Sequence, residues 1–163
     1  MTRQTAILAA GCFWGVQDYF DQVPGVIETE VGYIGGHVAN PSYQMVCAHT
    51  TGHAEAVKIV FEPRKVSYQT LLDHFFRLHD PTQLNRQGPD IGDNYRSAIF
   101  YLDEAQKKLA QAKIDELDKT GAYKKPIVTT LEPAGHWWPA EGYHQKYVAK
   151  TGIGACHVSY SPI

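Results

Sequence analysis

The uninterrupted apolar run Ala6-Ile7-Leu8-Ala9-Ala10 predicts a strand over residues 5–10, and the period changes straight after it. Val16, Tyr19 and Phe20 fall at helical spacing, which predicts a helix over residues 13–21. Pro24-Gly25 marks a turn, and residues 26–33 read as a second extended segment. Residues 34–53 carry no regular pattern, yet they hold Tyr43, Cys47, His49 and His53. A long irregular stretch of that kind is often a functional one. From 53 to 61 the chain alternates, with Val57, Ile59 and Phe61 on one face and Ala56, Lys58 and Val60 on the other. Leu71, Leu72, Phe75, Phe76 and Leu78 form the buried stripe of a helix over 67–79, which Pro81 ends. A second irregular stretch, 83–95, leads to a strand over 97–102. Asp103 three residues before Gln106 opens a helix that closes at Gly121, with Leu109, Ala112, Ile114 and Leu117 as its stripe. A strand over 127–131, a short helix over 141–150 and an irregular tail from 151 complete the chain. This order of elements predicts an α/β or α+β arrangement of one sheet with helices.

The chain of 163 residues fits one domain with a core able to stand without disulfides or metal. A net charge of −2 with scattered lysines and arginines gives no basic stripe for nucleic acid. No segment has the length or flanks of a membrane span or signal peptide, so a cytoplasmic protein with no membrane partner is expected. Three cysteines, Cys12, Cys47 and Cys156, are odd in number and lack Cys-x-x-Cys spacing, which suits reduced thiols better than a disulfide framework or zinc ribbon.

Cys12 is the residue with most chemical promise. It lies in Gly11-Cys12-Phe13-Trp14-Gly15 at the predicted strand-to-helix junction, where helix N–H groups and the dipole favour a thiolate. A buried structural cysteine is the plain alternative, against which stand the flanking aromatics and glycines, read as pocket walls and close-approach backbone. Glu55 shares parity with the apolar face of its strand, so either it is desolvated and keeps its proton, or it sits in the wet first position of the strand. Tyr43, and Asp90 with Tyr95, come from the two irregular stretches; each tyrosine alone could equally be an ordinary half-buried aromatic. Two rival readings use the same residues: a Cys-His hydrolase with one of the eight histidines as base, and a zinc site from Cys47, His49 and His53. A third is a sensor or binding module in which Cys12 merely oxidises. Trp137-Trp138-Pro139 reads as core packing or rim.

Further motifs narrow this choice. Gly32-Tyr33-Ile34-Gly35-Gly36, Asn40-Pro41-Ser42-Tyr43 through Val46-Cys47, and Gly52-His53-Ala54-Glu55-Ala56-Val57 follow the cysteine motif in order. His79-Asp80-Pro81, Arg86-Gln87-Gly88-x-Asp90-x-Gly92, Tyr95-Arg96-Ser97-Ala98-Ile99 and Ala140-Glu141-x-Tyr143-His144-Gln145-x-Tyr147 complete the set. Together, from residue 7 to about 157, they resemble the methionine sulfoxide reductase A family.

The resemblance implies an α+β fold, a two-layer α/β plait of the ferredoxin-like kind with a central mixed sheet. It implies a single domain over 1–163 whose flexible tail, 151–163, carries a resolving cysteine. Cys12 would be the nucleophile on sulfur, Glu55 the proton donor, and Tyr43 and Tyr95 the hydrogen-bond donors to the sulfoxide oxygen. Asp90 would help hold substrate through polar or water-mediated contacts, and Phe13 and Trp14 would pocket the methyl group. The substrate would be the S-epimer of methionine sulfoxide, free or in oxidised proteins, since one enzyme serves each epimer. Cys156, in Gly152-Ile153-Gly154-Ala155-Cys156-His157, would resolve the Cys12 sulfenic acid to a disulfide that thioredoxin reduces. Cys47 matches a family cysteine not generally required for turnover. Gln17 stands where the family more often has Glu, removing one charge from the nucleophile's helix. No cofactor or metal is implied, and a monomer acting in protein repair after oxidative stress is expected.

Overall fold

A computed structural model describes residues 3–152 and residue 160. Nine-residue helix α1 (Phe13–Asp21) follows β1 (Gln4–Ala10), with Gly11 and Cys12 between them. Next come β2 (Val26–Ile34), the short helix α2 (Tyr43–Cys47), β3 (Ala54–Phe61) and α3 (Tyr68–Leu78). A two-stranded hairpin, β4 (Arg86–Gln87) and β5 (Asp90–Ile91), leads through a 3-10 turn at Asp93–Tyr95 into β6 (Ser97–Tyr101). The last elements are α4 (Glu104–Thr120), β7 (Thr130–Pro133), β8 (Trp138–Pro139), a 3-10 turn at Gly142–His144, and α5 (Tyr147–Thr151).

Six strands form one mixed sheet in the order β7-β6-β1-β3-β2-β8, antiparallel throughout except for the parallel pair β6 and β7. Strand β1 lies between β3 and β6, which explains why its sequence is apolar at every position from Ala6 onward. Alternate residues of β1 serve two different cores. Ala6, Leu8 and Ala10 join the large cluster with Phe13, Val16 and Phe20 of α1 and Leu71, Leu72 and Phe75 of α3. Ile7 and Ala9 join a smaller cluster with Ala54, Ala56, Ala98 and Phe100, against which Trp137 packs. Helices thus cover one face with large side chains, while small residues and loops close the other. Among the described residues, no helix is long and apolar enough to cross a membrane.

Side-chain caps open α3 and α4. The Ser67 hydroxyl accepts from Thr70 N at 3.0 Å, and the Asp103 carboxylate accepts from Gln106 N at 2.8 Å. Gln106 then reaches back to accept from Leu102 N and donates to the Thr5 carbonyl, tying α4 to the sheet. Gly121 ends α4 in the left-handed conformation.

Four expectations are corrected. The strand expected over 127–131 begins at Thr130, because its ladder with β6 pairs Ala98 with Thr130 and runs on to Pro133. The helix expected over 141–150 is broken: Lys146 takes a left-handed φ of 58°, separating a 3-10 turn from α5. Residues 34–53 contain helix α2, capped by Ser42, which accepts from Met45 N. On α4, Ala110 is buried where the stripe was assigned to Ala112, which is exposed.

Gly36 lies where β2 runs out beside the turn into β3. A Cβ there would meet the Thr51 carbonyl and the His53 amide, both backbone atoms that cannot swing aside. Gly36→Ala is expected to destabilise the fold by about 1–3 kcal/mol, the usual cost of overpacking. Urea unfolding would show this as a lower midpoint with an unchanged slope.

Candidate active site

Gly11 makes the turn from the central strand into α1 with a φ of +96°, a region closed to most side chains. A Cβ on it would also press on the Gln87 side chain at 2.9 Å. Gln87 is fixed there by accepting from Asp80 N and donating to the Asp80 carbonyl. The next residue, Cys12, is the N-cap of α1 and is partly exposed. Its thiol therefore stands where unpaired helix N–H groups favour negative charge.

Glu55 lies below this junction. The register that pairs Leu8 with Val57 leads, two residues on, to Ala10 beside Glu55, and Tyr33 pairs with Glu55 from the other side. Its carboxyl is 1 % exposed, so the desolvated alternative holds and the wet one does not. Phe13 N donates to Oε1 at 3.3 Å, and Asn94 Nδ2 donates to Oε2 at 3.3 Å. Burial raises its pKa from the ordinary 4.5 to about 8; these two donors oppose the rise without cancelling it, and the nearby Asp90 charge adds to it. At neutral pH Glu55 carries a proton, so it can donate while its oxygens still accept both N–H bonds.

The two tyrosines come from opposite sides. Tyr43 opens α2, and Tyr95 ends the 3-10 turn after the hairpin. Burial first raises the pKa of each phenol; hydrogen bonding to Cys47 follows for Tyr43, and the Glu55 and Cys47 charges follow for Tyr95. Both remain neutral O–H donors. Cys12 and Asp90 also act on Tyr95, and Cys47 interacts with both phenols, which gathers Cys12, Tyr43, Cys47, Glu55, Asp90 and Tyr95 into one cluster. Burial chiefly raises the Cys47 pKa. Cys156 lies outside the described residues.

The aromatic pair separates into two roles. Phe13 is 1 % exposed and packs on Tyr33 and His144, so it is a floor and not an open wall. Trp14 is partly exposed, stacked on Tyr147 at 4.0 Å with Tyr43 on its flank, and it is the wall available to a ligand. Trp14 Nε1 donates to His144 Nδ1 at 2.8 Å; His144 is buried, and desolvation lowers its pKa, keeping it neutral.

Glu141 supports the same wall by accepting from Tyr33 Oη at 2.9 Å and from Tyr43 N at 3.0 Å. Burial opposes its ionisation, but these donors outweigh it and hold its pKa below the ordinary value. Arg96 donates to the Gly52 and Asp93 carbonyls and pairs with Glu132 at 3.3 Å, joining the turns that carry Glu55 and Tyr95.

Reading the sequence for reactive groups did not single out Glu141, His144, Asn94 or Arg96 as supports. Glu141, His144 and Arg96 stood within recognised motifs, but only contacts across the fold show what they hold. Gln17 is buried, donates to Thr29 and accepts from Lys146 N, a bridging role that suits an amide.

The rival metal set is not assembled. His53 donates from Nε2 to the Val38 carbonyl and accepts at Nδ1 from Gly36 N, leaving no ring nitrogen for a metal. His49 faces Asp93, and Cys47 faces the tyrosines. Nor do His79, His74 and His144 suit a hydrolase base. His79 bonds the Phe75 carbonyl and the Ser97 hydroxyl, with burial pushing its pKa down to about 4. His74 bonds Tyr19, and His144 bonds Trp14.

A partly exposed thiol at a helix start, a protonated buried acid and two neutral phenols define a cysteine-dependent enzyme. The Peptide methionine sulfoxide reductase family matches residues 4–163. The peptide methionine sulfoxide reductase MsrA of Methanoculleus marisnigri is 54% identical over 153 residues, covering 94% of this chain and 93% of that protein. Reduced Mxr1 from Saccharomyces cerevisiae superposes with a TM-score of 0.85 at 33% identity, covering 97% of this chain and 92% of that one. Mxr1 in complex with Trx2 matches with a TM-score of 0.60 at 26% identity, covering 89% and 84%. The chain belongs to the peptide methionine sulfoxide reductase family.

The raised Glu55 pKa links stability to pH. Because the folded state holds this proton more tightly than the unfolded chain, the stabilisation is fully present below about pH 4.5 and is lost as pH rises through about 8. Glu55→Gln removes this dependence. Urea titrations from pH 5 to 9 are expected to show the wild type losing stability over that window relative to the variant, by on the order of 4 kcal/mol.

Proposed function

We propose that the chain reduces the S-epimer of methionine sulfoxide, free and in oxidised proteins, to methionine. The observation that carries the proposal is the protonated carboxyl of Glu55 beneath the helix start that bears Cys12, with two phenols beside it. The Cys12 sulfur attacks the sulfoxide sulfur while Tyr43, Tyr95 and Glu55 hydrogen-bond the oxygen. Glu55 passes its proton to that oxygen as the new S–S bond develops. The protonated oxygen then passes as hydroxyl from the substrate sulfur to the Cys12 sulfur, breaking the S–O bond and the transient S–S bond, so the substrate leaves as the thioether and Cys12 is left as sulfenic acid; one thiol is oxidised and one sulfoxide reduced. Trp14 takes the methyl group over the Phe13 floor, and Asp90 contributes polar contacts. A chiral sulfur that must direct oxygen to the acid and methyl to the indole fits in one hand.

Cys156 then condenses with the sulfenic acid, releasing water and leaving a Cys12–Cys156 disulfide. A thioredoxin dithiol reduces it, a reading supported by the Mxr1–Trx2 complex of a relative. Residues 1–163 act as one domain, with 151–163 supplying the resolving thiol. The strand and helix order β1-α1-β2-β3-α3-β6, with β6-β1-β3-β2 adjacent in the sheet, favours a ferredoxin-like two-layer plait. The described site groups come from one chain, in keeping with a monomer, and the thiol chemistry suits a reducing cytoplasm.

Single-turnover reduction of the S- and R-epimers by pre-reduced protein, followed by mass mapping, tests the scheme. About one methionine per protein from the S-epimer alone, with a Cys12–Cys156 disulfide, is expected; no methionine from either epimer would overturn it. Cys12→Ser should abolish the turnover. Cys156→Ser should keep it while blocking thioredoxin cycling.

The wild-type chemical step should decline as pH rises past about 8, where Glu55 loses its proton. Glu55→Gln should be slower by about a hundredfold or more at pH 7 and lack that limb. Stopped-flow rates that follow the same profile in both proteins would remove Glu55 as the acid.

A further inference from the structure

A cavity of about 990 Å³ opens on Cys12 and runs away from the tyrosine pair, between the end of α3, the β4–β5 hairpin and the segment after α4. It shares Cys12 and Asp90 with the reacting cluster, but Glu55, Tyr43 and Tyr95 do not line it. Its volume is at the upper end of the roughly 300–1,000 Å³ that holds a drug-sized ligand, far more than one methionine sulfoxide side chain fills. Its lining includes Lys124 and Lys125, and the hairpin adds Arg86. All three are exposed, and among the described residues neither lysine is in an ion pair.

The acids on its wall are outnumbered, with Asp80 and Asp90 facing Arg77, Arg86, Lys124 and Lys125. Asp80 accepts from Thr82 N and Oγ1 and feels the Lys125 charge, and Asp90 lies close enough to the Glu55 carboxyl to influence it. Leu84, 67 % exposed, offers apolar contact on the lining. A cleft that opens on Cys12, has room for more than one residue and is lined by more cations than acids, on an otherwise slightly acidic chain, is complementary to a polypeptide with acidic side chains.

We propose that this cleft binds the segment of an oxidised protein flanking the methionine sulfoxide and selects segments rich in Asp and Glu. The proposal rests on the reductase reading above and gives that site its preferred substrate class. Lys124 and Lys125 are specificity residues that meet the flank and leave the sulfoxide to Cys12.

The test is single-turnover reduction, without thioredoxin, of free S-methionine sulfoxide and of two peptides with a central S-methionine sulfoxide flanked by Glu or by Lys. Wild-type protein should favour the Glu peptide by about tenfold in second-order rate at low salt, with the gap narrowing as salt screens the charges. Lys124→Glu with Lys125→Glu should abolish or invert the preference, and the Gln pair should give an intermediate value. Free methionine sulfoxide should be reduced equally by all three proteins. Equal wild-type rates on the two peptides, or a preference that survives charge reversal, would overturn the proposal. So would charge reversal that leaves the peptide rates alone and slows only recycling by thioredoxin, since the surface would then serve the reductant. Failure to reduce even free methionine sulfoxide would instead sink the reductase reading itself.

Discussion

Burying the Glu55 carboxyl under the first turn of α1 is the constraint from which the site is built. A carboxyl keeps a proton at neutral pH only if it is dry and no cation neutralises it, and the surroundings of Glu55 meet both conditions. The sheet supplies dryness, since β3 is covered on the face shared by Val57, Ile59 and Phe61. Phe13 N and Asn94 Nδ2 satisfy its oxygens without adding charge. Arg96, beside the Asn94 turn, is spent on two carbonyls and on Glu132. One feature serves two ends, because the amide of Phe13 that bonds the carboxyl also belongs to the helix start presenting Cys12.

Around that centre the last third of the chain works as scaffolding. Strand β8 adds to the β2 edge through Gly32 and Tyr33, with Trp137 packed where any Cβ on Gly32 would collide with its ring. The turn that follows places Glu141 on Tyr33 and on the amide of Tyr43, and His144 under Trp14. Removing the Glu141 carboxylate would leave a buried phenol and the first amide of α2 without their acceptor, the costly half of a broken hydrogen bond. Tyr43 is positioned by its backbone, which frees its hydroxyl for the cluster.

Much of this was legible in the residues, and the boundary between what was and was not is physical. Helix α1 could be read to the residue, because Val16, Tyr19 and Phe20 follow one period and the strand before it follows another. The inward side of Glu55 followed from counting by twos along β3. Its dryness did not, because the side chains that cover it come from α1 and the Asn94 turn, far away in sequence. Short elements escaped for a related reason. The hairpin β4–β5 has two residues per strand, and β7 is placed by its ladder with Ala98 and Ile99, not by its own β-branched residues. Lys146 breaks the last helix although nothing in its local pattern forbids a helix there; its amide is claimed by Gln17 from α1. Phe13, next to Cys12 and aromatic, read as a pocket wall, yet position 13 points into the large cluster and position 14 toward the surface.

The strand-to-helix junction is the one place where these demands can meet on a single thiol. A cysteine within β1 would be buried between β3 and β6, and one further along α1 would lose the helix-start amides. At position 12 the sulfur has the dry acid on the sheet side and an open cleft on the hairpin side. The proton transfer proposed for Glu55 needs the first environment, since a solvated carboxyl would ionise near its ordinary pKa and have no proton to give. The polypeptide access proposed for the cleft needs the second, since a sulfoxide within a protein brings a chain on both sides. Gly11 keeps the two environments apart. Its positive φ turns the chain sharply enough to put Cys12 at the rim, and its missing side chain lets Gln87 close the floor of the cleft beneath.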